Sequence, residues 1–198
     1  MRIVYPYEVY AKAKELFEER ISQGIFIEDK QSAYYIYQLE MNGRTQTGIA
    51  ACASVDDYLD GTIKKHENTR EEKEQDRIRH VDTLSAQTGP IFLTYRSQAT
   101  INQLVSKIME TQEPLYDFTA ADGIAHRMWK VTEEAVTTLQ EAFAGIQEIY
   151  IADGHHRAAS AVKVGLKRRK EHPDYDGTEE FNYFLSVLFP DEELMIMD

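Results

Sequence analysis

Ile149-Tyr150-Ile151-Ala152-Asp153-Gly154-His155-His156-Arg157 is the stretch on which the reading of this chain turns. Its first four residues suit a short buried strand, Asp153-Gly154 makes a tight turn, and the alanine-rich run Ala158 to Leu166 has helical composition. A strand that turns directly into a helix leaves the helix's first N–H groups without intrahelical partners, and those groups together with the macrodipole favour an anion. Two imidazoles and a guanidinium stand on the same corner. Phosphate is the expected ligand: Gly154 lets it approach the backbone, Arg157 offers a bidentate contact, and His155 and His156 add donors. Asp153 could orient a hydroxyl or hold a magnesium ion. Adjacent His residues do not face each other on a helix and the chain has a single Cys, so a His-rich metal site is the weaker reading.

Outward from the corner, strands and helices alternate. Apolar residues at helical spacing place a helix over residues 6–23, with Gly24 at its end, and Ile25-Phe26-Ile27 reads as the start of a strand. Ser32 to Met41 and Arg44 to Val55 flank Asn42-Gly43, which is the signature of a two-residue hairpin turn. Residues 56–68 read as a turn-rich polar segment. Thr69-Arg70-Glu71-Glu72 matches a capping box opening a helix to about Ala86, and Pro90 to Tyr95 is the next strand. Ile101, Leu104, Val105, Ile108 and Met109 mark an amphipathic helix. Leu115 to Thr119 and Ala125 to Val131 pair through Asp122-Gly123. Thr132 then caps a helix whose Val136, Leu139 and Phe143 face inward. Phe181 to Phe189 is a last strand, and Glu193 to Asp198 reads as the beginning of one more, as if the domain were cut from a longer protein. The expected class is α/β (α+β): one domain over residues 1–198 with a mixed sheet flanked by helices.

Composition narrows the partners. A formal net charge of −12 over 198 residues argues against a broad nucleic-acid surface. No apolar run is long enough for a membrane span and no signal-peptide pattern opens the chain, and with one Cys there is no internal disulfide, so a cytoplasmic setting is expected. Cys52, inside the apolar run Ile49 to Ala53, reads as an inert core thiol rather than a nucleophile.

A second cluster of chemistry precedes the helix opened by Thr69. Arg70, Lys73, Arg77 and His80 follow one side of that helix, and His66-Glu67 stand just before it, needed for neither cap nor core. A carboxylate beside an imidazole and several cations suits general-base work. The interspersed Glu71, Glu72, Glu74 and Asp76 leave open a solvated helix laced with ion pairs. The chain has neither a Gly-x-x-x-x-Gly-Lys-Ser/Thr phosphate loop, nor Gly-x-Gly-x-x-Gly after a strand, nor a Gly-x-Ser-x-Gly elbow.

The strand–Asp153-Gly154-His155-His156-Arg157–helix element resembles the phosphate-binding corner of the ParB/sulfiredoxin superfamily. The chain as a whole is similar to domain-of-unknown-function family 1015, through Tyr10-Ala11-Lys12-Ala13, Tyr35-Ile36-Tyr37, Thr47-Gly48-Ile49, Lys65-His66-Glu67-Asn68-Thr69-Arg70 with Glu72-Lys73 and Asp76-Arg77, Gly89 to Tyr95, the corner itself, and Phe181 to Leu185. The resemblance implies a ParB/sulfiredoxin-like core and, through the related free-serine kinases, phosphate transfer involving serine or phosphoserine with ATP or ADP and magnesium. His155 stands where sulfiredoxins carry their attacking Cys, so thiol chemistry is not implied. The family's members are longer, which points to a piece truncated at both ends.

The resulting expectation is a nucleotide- and phosphate-binding phosphotransferase or phosphatase. Gly154, His155, His156 and Arg157 form its cradle, Arg70, Lys73 and Arg77 with His66 neutralise charge, and Glu67 is the base with Asp153 as alternate. Two alternatives are a non-catalytic, ParB-like nucleotide switch, which needs the cradle without the base, and a metal-dependent hydrolase built on the His residues.

Overall fold

Eight strands form one mixed sheet in the computed structural model, which describes residues 7–195. In chain order the elements are α1 (Tyr7–Ser22), β1 (Tyr35–Met41), β2 (Arg44–Ser54), α2 (Val55–Asp60), β3 (Ile63–Lys64), α3 (Glu71–Leu84), β4 (Ile91–Tyr95), α4 (Ala99–Thr111), β5 (Tyr116–Thr119), β6 (Ala125–Lys130), α5 (Glu133–Ala144), β7 (Ile149–Asp153), α6 (His155–Glu171) and β8 (Tyr183–Pro190). The strand order is β3-β7-β4-β8-β2-β1-β6-β5. The β3–β7 and β4–β8 pairs are parallel and the others antiparallel, so the class is α/β with a mixed sheet, as expected.

The hairpin forms as its turn residues require, with Asn42 at φ 52° and Gly43 at φ 76° and Met41 paired with Arg44. β8 lies centrally and is buried along almost its whole length. The core joins Ile36, Ile49, Leu93, Tyr95, Ile151, Phe184 and Leu188 of the sheet to Ile101 and Ile108 of α4, Leu139 of α5 and Ala158, Ala161 and Val162 of α6. Small residues on α6 permit close approach: a Cβ on Gly165 would stand 2.5 Å from the Phe181 carbonyl oxygen.

Several expectations are corrected. Ile25-Phe26-Ile27 is not a strand and is exposed, because Gly24 adopts φ 70° and the Ile25 and Phe26 N–H groups both donate to the Arg20 carbonyl, closing α1 instead of pairing sideways. The segment after β2 is not only turns. Ser54 accepts from the Asp56 N–H and opens α2, and β3 adds a short parallel edge to β7. Thr69 does not cap α3: Arg70 holds the N-cap position with no side-chain bond, its carbonyl accepting from the Lys73 and Glu74 N–H groups. The helix stops at Leu84, where Ser85 turns to φ 51°. Thr132 holds the N-cap position of α5 without a side-chain bond. Cys52 is exposed rather than part of the core; partial desolvation of its sulfur by the neighbouring chain, with Glu180 nearby, pushes the thiol up, against nucleophilic use. Glu193 ends a 3-10 turn, Asp191–Glu193, rather than opening a strand; the rest of that expected strand falls partly on residues 196–198, outside the described residues.

Candidate functional site

β7 runs into α6 through a single residue, Gly154, at φ 94° and ψ 27° in the left-handed region that a Cβ disfavours. Opposite Asp153 the ladder to β4 shifts register between Phe92 and Leu93, and such an irregularity re-aims the strand end next to it. The first turn of α6 therefore begins at once, with His155 buried and His156 and Arg157 half-buried.

The loop between β3 and α3 folds onto this turn. The His66 N–H donates to His155 Nε2 at 3.4 Å and the Arg70 N–H donates to His156 Nε2 at 3.1 Å. A ring nitrogen that accepts carries no proton, so each imidazole is neutral with its proton on Nδ1. In His155 that Nδ1 faces Glu67 Oε2 at 3.6 Å, and the His66 ring meets the His155 ring edge-on with centroids 4.4 Å apart. Burial and then the neighbouring His66 push His155 below the usual histidine range, and the carboxylates of Glu67 and Asp153 offset this only in part. Glu67 itself is largely exposed, so the pair is a carboxylate reaching in from solvent towards a buried imidazole.

In front of this pair lies a cavity of about 390 Å³ lined by Tyr58, Lys65, His66, Glu67, Asn68, Thr69 and His155. The Lys65 ammonium sits 4.2 Å from the centroid of the Tyr58 ring. Tyr58 has no part in the sequence reading, and Lys65, Asn68 and Thr69 enter it through the family resemblance and the expected cap rather than as lining of a site. A signal was present for Tyr58: Ser54 followed by Asp56 and Asp57 is a helix N-terminus that would have placed it on α2.

Arg157 does not point outward to a ligand. Its Nη2 donates to Asp153 Oδ2 at 2.6 Å, and the guanidinium lies over Gly154, where an added Cβ would come within 3.0 Å of Nε and Nη2. Asp153 is thus paired rather than free for a hydroxyl or a metal. The cationic side expected of α3 is only partly brought in: Arg70 reaches the corner through its backbone, whereas Lys73 and Arg77 are exposed and make no ion pair or side-chain hydrogen bond among the described residues. The α3 face that meets α6 is acidic instead. Buried Glu74 pairs with Lys163, and Asp82 with Lys167 and Arg168. Burial raises Glu74, but its bonds from Lys163 and Thr69 outweigh that and hold it below the usual carboxylate range. Fully buried Ser160 donates to the His156 carbonyl at 2.6 Å, completing the seam.

Among the described residues no group of three or more His, Cys, Asp or Glu side chains is arranged to hold a metal ion, and no helix is long and apolar enough to cross a membrane. No curated protein matches the chain, and no solved structure does. A family model described as "Protein of unknown function (DUF1015)" matches residues 3–198, and the chain belongs to that family.

Proposed function

We propose that the corner binds the phosphate of a nucleotide or phosphomonoester and that the protein transfers a phosphoryl group to or from a small hydroxylated acceptor, with serine or phosphoserine as the substrate pair and ATP or ADP with magnesium as the nucleotide. One observation carries the reading: the cavity of about 390 Å³ gathers a carboxylate (Glu67), a buried neutral imidazole (His155) and an ammonium (Lys65) directly beside the first turn of α6. Its size, near the lower end of the roughly 300–1,000 Å³ typical of ligand sites, suits a phosphoryl group with a small acceptor.

In this reading the chemistry is positioning and charge neutralisation. The α6 N–H groups and Lys65 hold the phosphate, joined by the Arg157 guanidinium once that side chain leaves Asp153. Glu67, exposed beside the cavity, takes the proton of the acceptor hydroxyl. His155 presents its Nδ1 proton to Glu67 and keeps the carboxylate turned inward. The likeness of the strand–Asp-Gly-His-His-Arg–helix corner to ParB/sulfiredoxin-like proteins supports the same cradle.

The test is to incubate the protein with serine and ATP or ADP, and with phosphoserine and ADP, and to follow phosphate in both directions. Glu67→Gln is expected to abolish turnover while nucleotide binding stays nearly intact; equal loss of both would give Glu67 a structural role. A second reading, a ParB-like nucleotide switch without catalysis, draws on the folded-back Arg157. Ligand entry over Gly154 requires that side chain to leave Asp153, so binding would itself reorganise the corner. Nucleotide binding with no phosphate movement in either direction would select it.

A further inference from the structure

We propose that His156 is a positioning residue and a proton-operated latch: its neutral Nε2 holds the 65–70 loop against α6, keeping Glu67 over the corner, and protonation of that nitrogen releases the loop. What the latch is for rests on the reading of Glu67 as the working carboxylate, whereas the latch itself stands on the geometry of the ligand-free protein.

Arg70 holds the N-cap position of α3, so its N–H has no helical acceptor, and the bond to His156 Nε2 at 3.1 Å is the partner it finds. His66, at the other end of the segment, donates to His155 Nε2 at the longer distance of 3.4 Å. Glu67 lies between these two attachment points, so its position follows from lone pairs on two imidazoles. A charged imidazole has donors on both nitrogens. Adding a proton to His156 Nε2 sets N–H against N–H and turns the stronger attachment into a repulsive contact. The imidazole is the side chain whose charge changes between pH 5 and 8, and that makes the attachment a switch rather than a fixed bolt.

The groups around His156 come from each element packed on it. The loop contributes Thr69 and the Arg70 backbone, and α3 contributes Glu74, whose charge interacts with the ring. Glu74 is itself held by Lys163 of α6 and by the Thr69 hydroxyl. His155 and Arg157 flank the ring along α6, with Arg157 tied to Asp153 of β7. The backbone carbonyl of His156 is fixed separately by Ser160 at 2.6 Å, so the ring is presented from a rigid turn and releasing the loop leaves α6 intact.

The experiment is amide hydrogen exchange at Arg70, read by NMR on the labelled, ligand-free chain between about pH 8 and pH 5 and corrected for the intrinsic pH dependence of exchange. The expected result is protection at the high end that falls by about tenfold as the imidazole charges, the scale of one lost hydrogen bond, while Ile151 in the core keeps its protection. His156→Gln supplies an amide oxygen that accepts but does not titrate, and is expected to keep protection across the range. His156→Ala is expected to lose it throughout. The ring nitrogens of His156 in the wild type should report the proton on Nδ1 at high pH. Protection of Arg70 that ignores pH, a His156→Gln protein that follows the wild-type profile, a fully protected His156→Ala, or the proton found on Nε2 would each overturn the latch. No ligand is present in this experiment, so its failure leaves phosphate binding standing, and a failed phosphate titration leaves the latch standing.

Discussion

At the scale of single residues, the corner is held closed by an ion pair that a ligand can replace. Asp153 is exposed and Arg157 half-buried at the surface, and pairs open to solvent contribute only about 0–1 kcal/mol, so a phosphate competes for the guanidinium at small cost. Asp153→Asn removes the competing charge and is expected to tighten phosphate binding several-fold, measured by calorimetric titration; weaker binding would make Asp153 part of the ligand site. Gly154→Ala meets two obstacles of different size. The left-handed backbone costs an L-residue roughly 1–2 kcal/mol, whereas the 3.0 Å approach to Arg157 involves the end of a flexible side chain that can swing away. Thermal unfolding should therefore show a loss of about that backbone cost, with Arg157 displaced. The identities of the corner residues were legible in the sequence because the Asp-Gly turn and the helix behind it are local signals. The direction of Arg157 was not, since it depends on a partner four residues back competing with a ligand. The acceptor role of both imidazoles was equally hidden: it needs the N–H groups of residues more than eighty positions away.

At the scale of elements, α6 is the piece on which α3, β8 and the corner converge, and its small residues show how tightly. Gly165→Ala would gain about 1 kcal/mol of helix propensity, but the new Cβ would meet the Phe181 carbonyl oxygen at 2.5 Å and Val55 Cγ2 at 3.3 Å. Backbone cannot yield as a side chain does, and overpacking of this kind costs about 1–3 kcal/mol, so the net effect is expected to be destabilising in denaturant titrations. An increase in stability would mean that α6 and the Glu180–Asn182 turn are free to separate. The α3–α6 seam makes a second test through its unequal partners. Lys163→Ala strands the buried Glu74 carboxylate with only Thr69, while Glu74→Ala leaves a half-exposed ammonium that water can serve. The lysine change should be the more damaging, by roughly 1–3 kcal/mol. Elements with strong local signatures were readable: the Asn42-Gly43 hairpin, α4 and the β7–α6 corner. Ile25 to Ile27 misled because three apolar residues look like a strand wherever they fall, and only tertiary pairing decides. The capping box at Thr69 misled because the match starts one residue early: the helix opens at Arg70, whose carbonyl accepts from the Lys73 and Glu74 N–H groups.

At the scale of the whole molecule, one sheet collects strands from both ends of the described chain, with β8 and β2 at its middle. That order could not be read from the sequence. Alternation of strands and helices gives the class, but the placement of β8 between β4 and β2 depends on contacts across roughly a hundred residues. The buried His155 links this fold to pH. Its folded value lies below the ordinary one, so the unfolded chain binds the proton more readily, and its contribution to stability is complete above the ordinary histidine value near about 6.5. That contribution is lost as pH falls from there towards the lower folded value, and below it the effect levels off. Chemical denaturation between pH 8 and pH 5 should show the decline, and His155→Gln should flatten it. Phosphate binding at the β7–α6 corner is open to direct test. The most direct measurement is a titration of the labelled protein with inorganic phosphate and with ADP, following the amide signals of Gly154 to Arg157. Saturable shifts are expected at those amides and in the 65–69 loop, diminished in Arg157→Ala. Shifts confined to other parts of the sheet, or equal shifts with chloride, would contradict it.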